Sequence, residues 1–361
     1  MMGFEIGKTV GGYEIVELVG SSATGIAYKV KNVFSQRFEI LKILPKEISG
    51  NEDQVVRFLR EIKVHARLVH PNIVTFYNAR EIEGQLVMTT EFVPGVTVAE
   101  RLEKGPIPWQ DATRYGCQAL LALEYAHANG IIHRGLTSSC LVITPEGIVR
   151  LGGFGMAKVV SDPQLTAVGT VVGALRYISP EQVKGLALDA RCDIYSLGVV
   201  MYEMLTGRLP FDGKGQFEIM LAHVNAAPQH PTEVNSNVPR ALGDLALIAL
   251  AKDPDKRFQN AREFRVALEE ITGEKDDSPA VASAVAAAFA PSQPEPLQAV
   301  TAPAPASTSV PAAVLQSGET EPASIFGNTW VSKLAISLAV GAVTFLVGTA
   351  AVFAYMTMAK H

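Results

Sequence analysis

The chain has 361 residues, and its 31 Lys and Arg against 36 Asp and Glu leave a formal net charge of −5. That mild acidity shows no basic stripe of the kind a nucleic-acid partner requires, so nucleic-acid binding is excluded as the expected role. Hydrophobic residues make up 48%, with the excess crowded toward the C-terminus. Cys117, Cys140 and Cys192 are odd in number, far apart and in no metal-ligand spacing. They read as reduced thiols of a cytosolic domain. The opening MMGFEIGKTV lacks a basic start followed by an apolar core, so no signal peptide is expected.

From Tyr13 to Val30 the pattern predicts a strand, a turn flanked by Gly20 and Gly25, and a second strand. Phe38 to Lys42 is a short apolar strand ending on a lysine. QVVRFLREIKVHARLVH predicts a helix that ends before Pro71, and NIVTFYNA and QLVMTTEFV predict two further strands. A short helix, a turn at Gly105-Pro106 and a long helix follow, the last stopped by Asn129-Gly130. IIHRGLTSSC then forms a polar loop before two apolar strands, LVI and IVRL, joined at Pro145-Glu146-Gly147. A glycine loop, GGFG, comes next, and a helical pattern from Pro239 to Ile271 closes the folded part.

The order of these motifs from Tyr13 to Ile271 resembles the eukaryotic-like serine/threonine protein kinases. The glycine-rich loop GxGxxGxV falls on Gly20, Ser22, Gly25 and Ala27, the VAIK lysine on Lys42, and its helix glutamate on Glu61. Thr90 takes the gatekeeper place and Glu91-Phe92-Val93 the hinge. HRDLKxxN falls on His133 to Cys140, DFG on Gly153-Phe154-Gly155, and the APE glutamate on Glu181. The resemblance implies an α+β bilobal fold over residues 13–272, with a β-rich N-lobe (13–93) and a helical C-lobe (94–272), after a tail at 1–12. It implies nucleotide contacts at Gly20, Gly25, Lys42, Glu61, Glu91 and Val93. Structural roles fall to His133, Arg134, Phe154 and Gly155, to a Glu181–Arg257 pair, and to Asp193 as a brace for the catalytic loop.

The frame is present and its chemistry is absent. An active member orients the substrate hydroxyl with the HRD Asp and holds metal ions with the Asn and the DFG Asp. Here those places are Gly135, Cys140 and Gly153, and the following lysine is Thr137. No residue is assigned a catalytic role, no cofactor is required, and magnesium is not expected. ATP binding is doubtful, because Ile40 stands where the family has a small alanine and should crowd the adenine pocket. The expectation is therefore a pseudokinase acting as a signalling scaffold or allosteric module. Two alternatives stand beside it: an unconventional ATP-dependent kinase using Glu146 or Asp162 as substitute metal ligand, and a non-catalytic ATP sensor. Thr166 and Thr170 are the obvious hydroxyls of the activation-loop segment. A phosphate there could meet Arg134 or Arg176, although an unmodified polar loop is the plainer reading.

Residues 273–329 turn to Ala, Pro, Ser, Thr and Glu, a composition that cannot bury enough apolar area to fold and reads as a linker. Residues 334–358 carry no charge and at helical rise would span roughly 37 Å, enough for a bilayer core. With Trp330 before them they give an expected transmembrane helix at 330–358 and a short tail at 359–361. The kinase-like domain is then expected at the cytoplasmic face of a membrane, facing an active kinase, a substrate or a regulator. Ser337, Gly341, Thr344, Gly348 and Ala351 form one small-residue stripe that would permit a homodimer.

Overall fold

A computed structural model of the chain describes residues 4–22, 25–45, 52–159 and 174–273, all of them within one compact unit spanning 1–293. The N-lobe is built on a six-stranded antiparallel sheet of order β1-β2-β3-β4-β6-β5. Its strands are β1 (Thr9–Val10), β2 (Tyr13–Ser22), β3 (Gly25–Asn32), β4 (Phe38–Ile43), β5 (Phe76–Ile82) and β6 (Gln85–Glu91). The strand period of two decides which residues go where. On β4, Leu41 and Ile43 are buried in the lobe's core with Ile15, Tyr28, Val30 and Val87, while Ile40 and Lys42 take the opposite, half-exposed face. Helix α1 (Glu52–His65) packs beside the sheet, with Phe58 fully buried against Leu44 and Met88.

The segment read as a tail at 1–12 belongs to the lobe from Phe4 onward. Phe4 packs against Tyr28, and β1 pairs with β2 through Thr9 and Val10. Backbone bonds between Gly7 and Ile15 and between Ile15 and Lys8 continue that pairing. The physical gain is a covered sheet edge, which would otherwise present unpaired backbone groups. Helix α1 also stops short of the expected end near Pro71. It gives way at His65 to a series of turns through Leu68.

The C-lobe follows through β7 (Val96–Thr97), α2 (Val98–Leu102), α3 (Trp109–Ala128), β8 (Ile131–Ile132), β9 (Leu141–Ile143), β10 (Val149–Leu151) and β11 (Lys158–Val159). The helices α4 (Pro180–Val183), α5 (Arg191–Thr206), α6 (Gln216–Asn225), α7 (Pro231–Val234), α8 (Arg240–Ala249) and α9 (Ala261–Thr272) complete it. Helix α5 is apolar nearly all round and buried nearly all round, as the central helix of a core should be. The helical pattern from Pro239 to Ile271 is carried by two helices, α8 and α9. Asp253 caps a short 3-10 turn at Pro254, and the break carries Arg257 inward. The lobes are stitched by a parallel bridge between Ile73 and Leu151 and by Asn72, whose side-chain amide donates to Gln118 and to the Val149 carbonyl.

Among the described residues no helix is long and apolar enough to cross a membrane. The segment 330–358, the linker, Asp162, Thr166 and Thr170 lie outside the described residues.

Candidate active site

A cavity of about 740 Å³ lies between the lobes. Two register shifts in the β2–β3 pairing, around Ile15–Glu17 and Leu18–Gly20, accompany the passage of Val19 and Gly20 over its top. Ala27 and Ile40 line it from neighbouring strands, Val142 from β9, and Val93 and Phe92 from the hinge. Ile40 does reach the cavity, yet it does not close it. Ala27 pairs with Lys42 and Lys29 with Ile40, so Ala27 and Ile40 are diagonal neighbours on one sheet face. A small residue beside the large one leaves the slot open.

At the back, Lys42 Nζ lies 2.8 and 2.7 Å from the two carboxylate oxygens of Glu61, both groups largely buried. Behind this pair runs a file of four rings. Phe76 stands 6.1 Å from His65, His65 5.3 Å from Phe154, and Phe154 4.8 Å from His133, centroid to centroid. His65 Nε2 pairs with the Val74 carbonyl at 2.7 Å and His133 Nε2 with the Gly152 carbonyl at 2.9 Å. Burial pushes the pKa of both imidazoles down, so each is neutral and donates from Nε2. The sequence reading placed His133 and Phe154 but missed His65 and Phe76. His65 stands four residues beyond Glu61 on α1, on the same helix face, and that spacing was the available signal.

Beneath the loop Asp193 accepts the backbone N–H groups of His133 and Arg134, both at 2.8 Å, and pairs with His127 Nε2 at 2.8 Å. Its burial opposes ionisation, but these bonds and the nearby His127 hold its pKa below the ordinary aspartate value. The brace keeps Arg134 at φ 63, a left-handed conformation that a non-glycine residue adopts only under restraint. Glu181 and Arg257 form a buried bidentate pair at 2.8 Å on each arm. Glu91, by contrast, is committed elsewhere. Its carboxylate binds Arg150 and the Thr75 N–H, and its own N–H goes to the Thr75 carbonyl. The Glu91 N–H and one carboxylate oxygen are thus engaged within the protein, while Glu91 and Val93 both line the cavity.

The degenerate positions converge. A Cβ built on Gly153, itself at φ +82, would lie 2.8 Å from Cys140 Sγ. One on Gly135 would lie 3.0 Å from the Met156 side chain. Cys140 donates to the Gly135 carbonyl at 3.5 Å and meets Thr137 Oγ1 at 3.3 Å. Burial pushes the thiol's pKa up, so it stays protonated. At both glycines a Cβ would crowd a neighbouring side chain. A hard cation such as magnesium seeks oxygen ligands, and these three positions offer two glycines and a neutral thiol. Among the described residues no three His, Cys, Asp or Glu side chains gather as a metal site. Glu146, considered as a substitute ligand, is at the turn of the β9–β10 hairpin, whereas Cys140 and Gly152 meet at its other end. It cannot reach the cleft.

Comparison with known proteins gives the same architecture. The model of the protein kinase domain matches residues 13–266. A probable serine/threonine-protein kinase of Clostridium perfringens is 36% identical over 280 residues, covering 77% of this chain and 41% of that protein. Serine/threonine-protein kinase PrkC of Bacillus subtilis is 33% identical over 261 residues, 72% of this chain and 40% of that one. The chain thus spans about two-fifths of the length of the curated relatives it matches. Among solved structures, the kinase domain of Mycobacterium tuberculosis PknI superposes with a TM-score of 0.59 at 27% identity, over 75% of this chain and 100% of that one. By fold, motif order and relatives, the chain belongs to the protein kinase domain family, in its eukaryotic-like serine/threonine branch.

Proposed function

We propose that this family member is a pseudokinase: a kinase-fold module that binds partners and does not transfer phosphate. The observation that carries the reading is the Gly135–Cys140–Gly153 cluster, which has no carboxylate and in which a Cβ at either glycine would crowd Cys140 or Met156. Without a group to orient the acceptor hydroxyl or hold a metal, turnover falls by roughly 10²–10⁴-fold for the base alone. The relatives are named as kinases, and the family ordinarily uses ATP with magnesium. The test therefore incubates the full chain with labelled ATP, magnesium or manganese, and a general protein acceptor. Label should not exceed that of a Lys42→Met variant; metal-dependent transfer that Lys42→Met abolishes would end the proposal.

The accompanying placement is a cytosolic membrane face, reached through residues 330–358, where the domain would dock an active kinase, a substrate or a regulator. Leucine at Gly341 and Gly348 should abolish crosslinking between copies in membranes if the small-residue stripe pairs them. A second reading, non-catalytic ATP sensing, is favoured by the formed Lys42–Glu61 pair and the open cleft. ATP-induced thermal stabilisation without metal would support it.

A further inference from the structure

We infer that Lys252 is an acylation site, a lysine whose amine takes up an acyl group directly from an acyl phosphate. Lys252 follows α8 in the C-lobe and does not line the interlobe cleft. The inference stands whether or not the domain transfers phosphate.

Three elements enclose the amine. The Phe211 ring, ahead of α6, has its centroid 3.8 Å from Nζ, and the Tyr195 ring of α5 lies at 5.8 Å. Both rings are buried. Nζ donates to the Ala222 carbonyl of α6 at 3.3 Å. His223, the next residue on that helix, is buried between the same two rings, with centroids 4.9 Å from Phe211 and 5.7 Å from Tyr195. The last neighbour is Arg257. Its guanidinium lies 4.8 Å from the Tyr195 centroid and donates to the Lys252 carbonyl at 3.2 Å. Glu181, the carboxylate on this side, is held by both arms of Arg257. Among the described residues no carboxylate pairs with Lys252, whereas Lys8, Lys29 and Lys42 each have one.

An amine so placed gives up its proton easily. The rings and the carbonyl near the helix end favour the ammonium. Removal from water and the cation at Arg257 weigh more and lower its pKa to about 8. The other facing groups do not restore the charge: His223 is neutral at pH 7, and the Tyr195 hydroxyl is bonded to His223 Nδ1. Desolvation beside a second cation is one way a lysine becomes a nucleophile near neutral pH. The side chain is half-buried rather than sealed, so a small reagent can reach it. In the reaction the Nζ lone pair attacks the carbonyl carbon of the acyl phosphate. A C–N bond forms as the C–O bond to phosphate breaks, phosphate leaves with that electron pair, and the amine's proton passes to water. The product amide keeps one N–H for Ala222 and carries no charge toward Phe211 or Arg257. Acylation therefore changes the charge beside α6, whose outer face exposes Phe217 and Leu221.

The test incubates the full chain with acetyl phosphate from about pH 6.5 to about pH 9.5 and reads acetylation of each lysine by peptide mass mapping. Near pH 7.5 the lowered pKa leaves roughly 10²-fold more neutral amine than an ordinary lysine has. Weaker intrinsic nucleophilicity and partial burial offset part of that, so Lys252 should react at least about fivefold faster than the median lysine. Its rate should level off above about pH 8.5 while the others keep rising, and its advantage should vanish in concentrated urea. Reaction no faster than the median, a rate still climbing in proportion to hydroxide at the top of the range, or an advantage that survives urea would each overturn the inference.

Discussion

Two clusters flank the same short loop and are built on opposite terms. Below it, Asp193, His127 and the backbone of His133 and Arg134 form a fully bonded charged network, and Glu181–Arg257 adds a buried ion pair nearby. Above it, Gly135, Cys140 and Gly153 carry no charge at all. The difference separates two kinds of conserved-looking chemistry. A buried charge that holds backbone cannot be removed without leaving its partners unpaired. A charge that serves only the reaction can be removed, and its space refilled, with no such penalty. On the pseudokinase reading proposed above, the fold outlasts the chemistry.

The strongest way to break that comparison is to attack the lower network. Arg257→Met leaves the Glu181 carboxylate buried without its bidentate partner and should cost about 3–5 kcal/mol. Urea denaturation of the full chain would show it as a lowered midpoint. A change below about 1 kcal/mol would mean that the pair is ornamental and that the contrast between the clusters is false.

Acid should also act on the buried polar groups of the folded domain and spare the degenerate cluster. His223 is fully buried, bonded to the Tyr195 hydroxyl and the Arg176 carbonyl, and burial with Lys252 nearby lowers its pKa to about 4. An unfolded histidine titrates near 6.5. Between those values the unfolded chain binds more protons, so the stability is complete above about pH 6.5 and is lost as pH falls toward 4. The slope should reach about 1.4 kcal/mol per pH unit for this one group, with His65 and His133 acting in the same direction. His223→Gln should flatten part of the slope measured from pH 7 to pH 5, while Cys140→Ser, replacing a thiol that stays protonated, should leave it unchanged.

The upper cluster can be tested by putting a side chain back. Gly153→Asp places a Cβ against Cys140 Sγ and should cost about 1–3 kcal/mol. Cys140→Ala should relieve part of that, giving a coupling of about 1 kcal/mol in a double-mutant cycle. Additive costs would show that the two positions are not one packing unit.

How much of this could be read beforehand differs between the same two clusters. Motif order placed Lys42, Glu61, Asp193, Glu181 and Arg257, because each is a charged residue fixed by a recognisable neighbour. Their distances needed the fold: the two 2.8 Å arms between Glu181 and Arg257 depend on the turn between α8 and α9, whose geometry a sequence pattern does not give. The absence of charge at Gly135, Cys140 and Gly153 was equally legible. That Met156 and Cys140 stand close against Gly135 and Gly153 was not, since glycine gives no sign of what packs against it. Phe4 was missed for a similar reason, because a lone aromatic before a two-residue strand has no period.

The smallest effect belongs to the one place where the sequence suggested obstruction and the structure shows exchange. If Ala27 and Ile40 share one volume, Ile40→Ala alone should leave a half-exposed gap and Ala27→Val alone should crowd the slot, each costing under about 1.5 kcal/mol. Together they restore the side-chain volume in the opposite order, and the double variant should sit closer to the parent than the two single costs predict. The sharper readout is ligand binding. Ala27→Val alone narrows the cleft without adding charge, so it should weaken any thermal stabilisation by ATP several-fold. The Ile40→Ala partner should then recover it. Failure to recover it would mean that Ile40 contributes a contact of its own, making its size a determinant of specificity rather than half of an exchange.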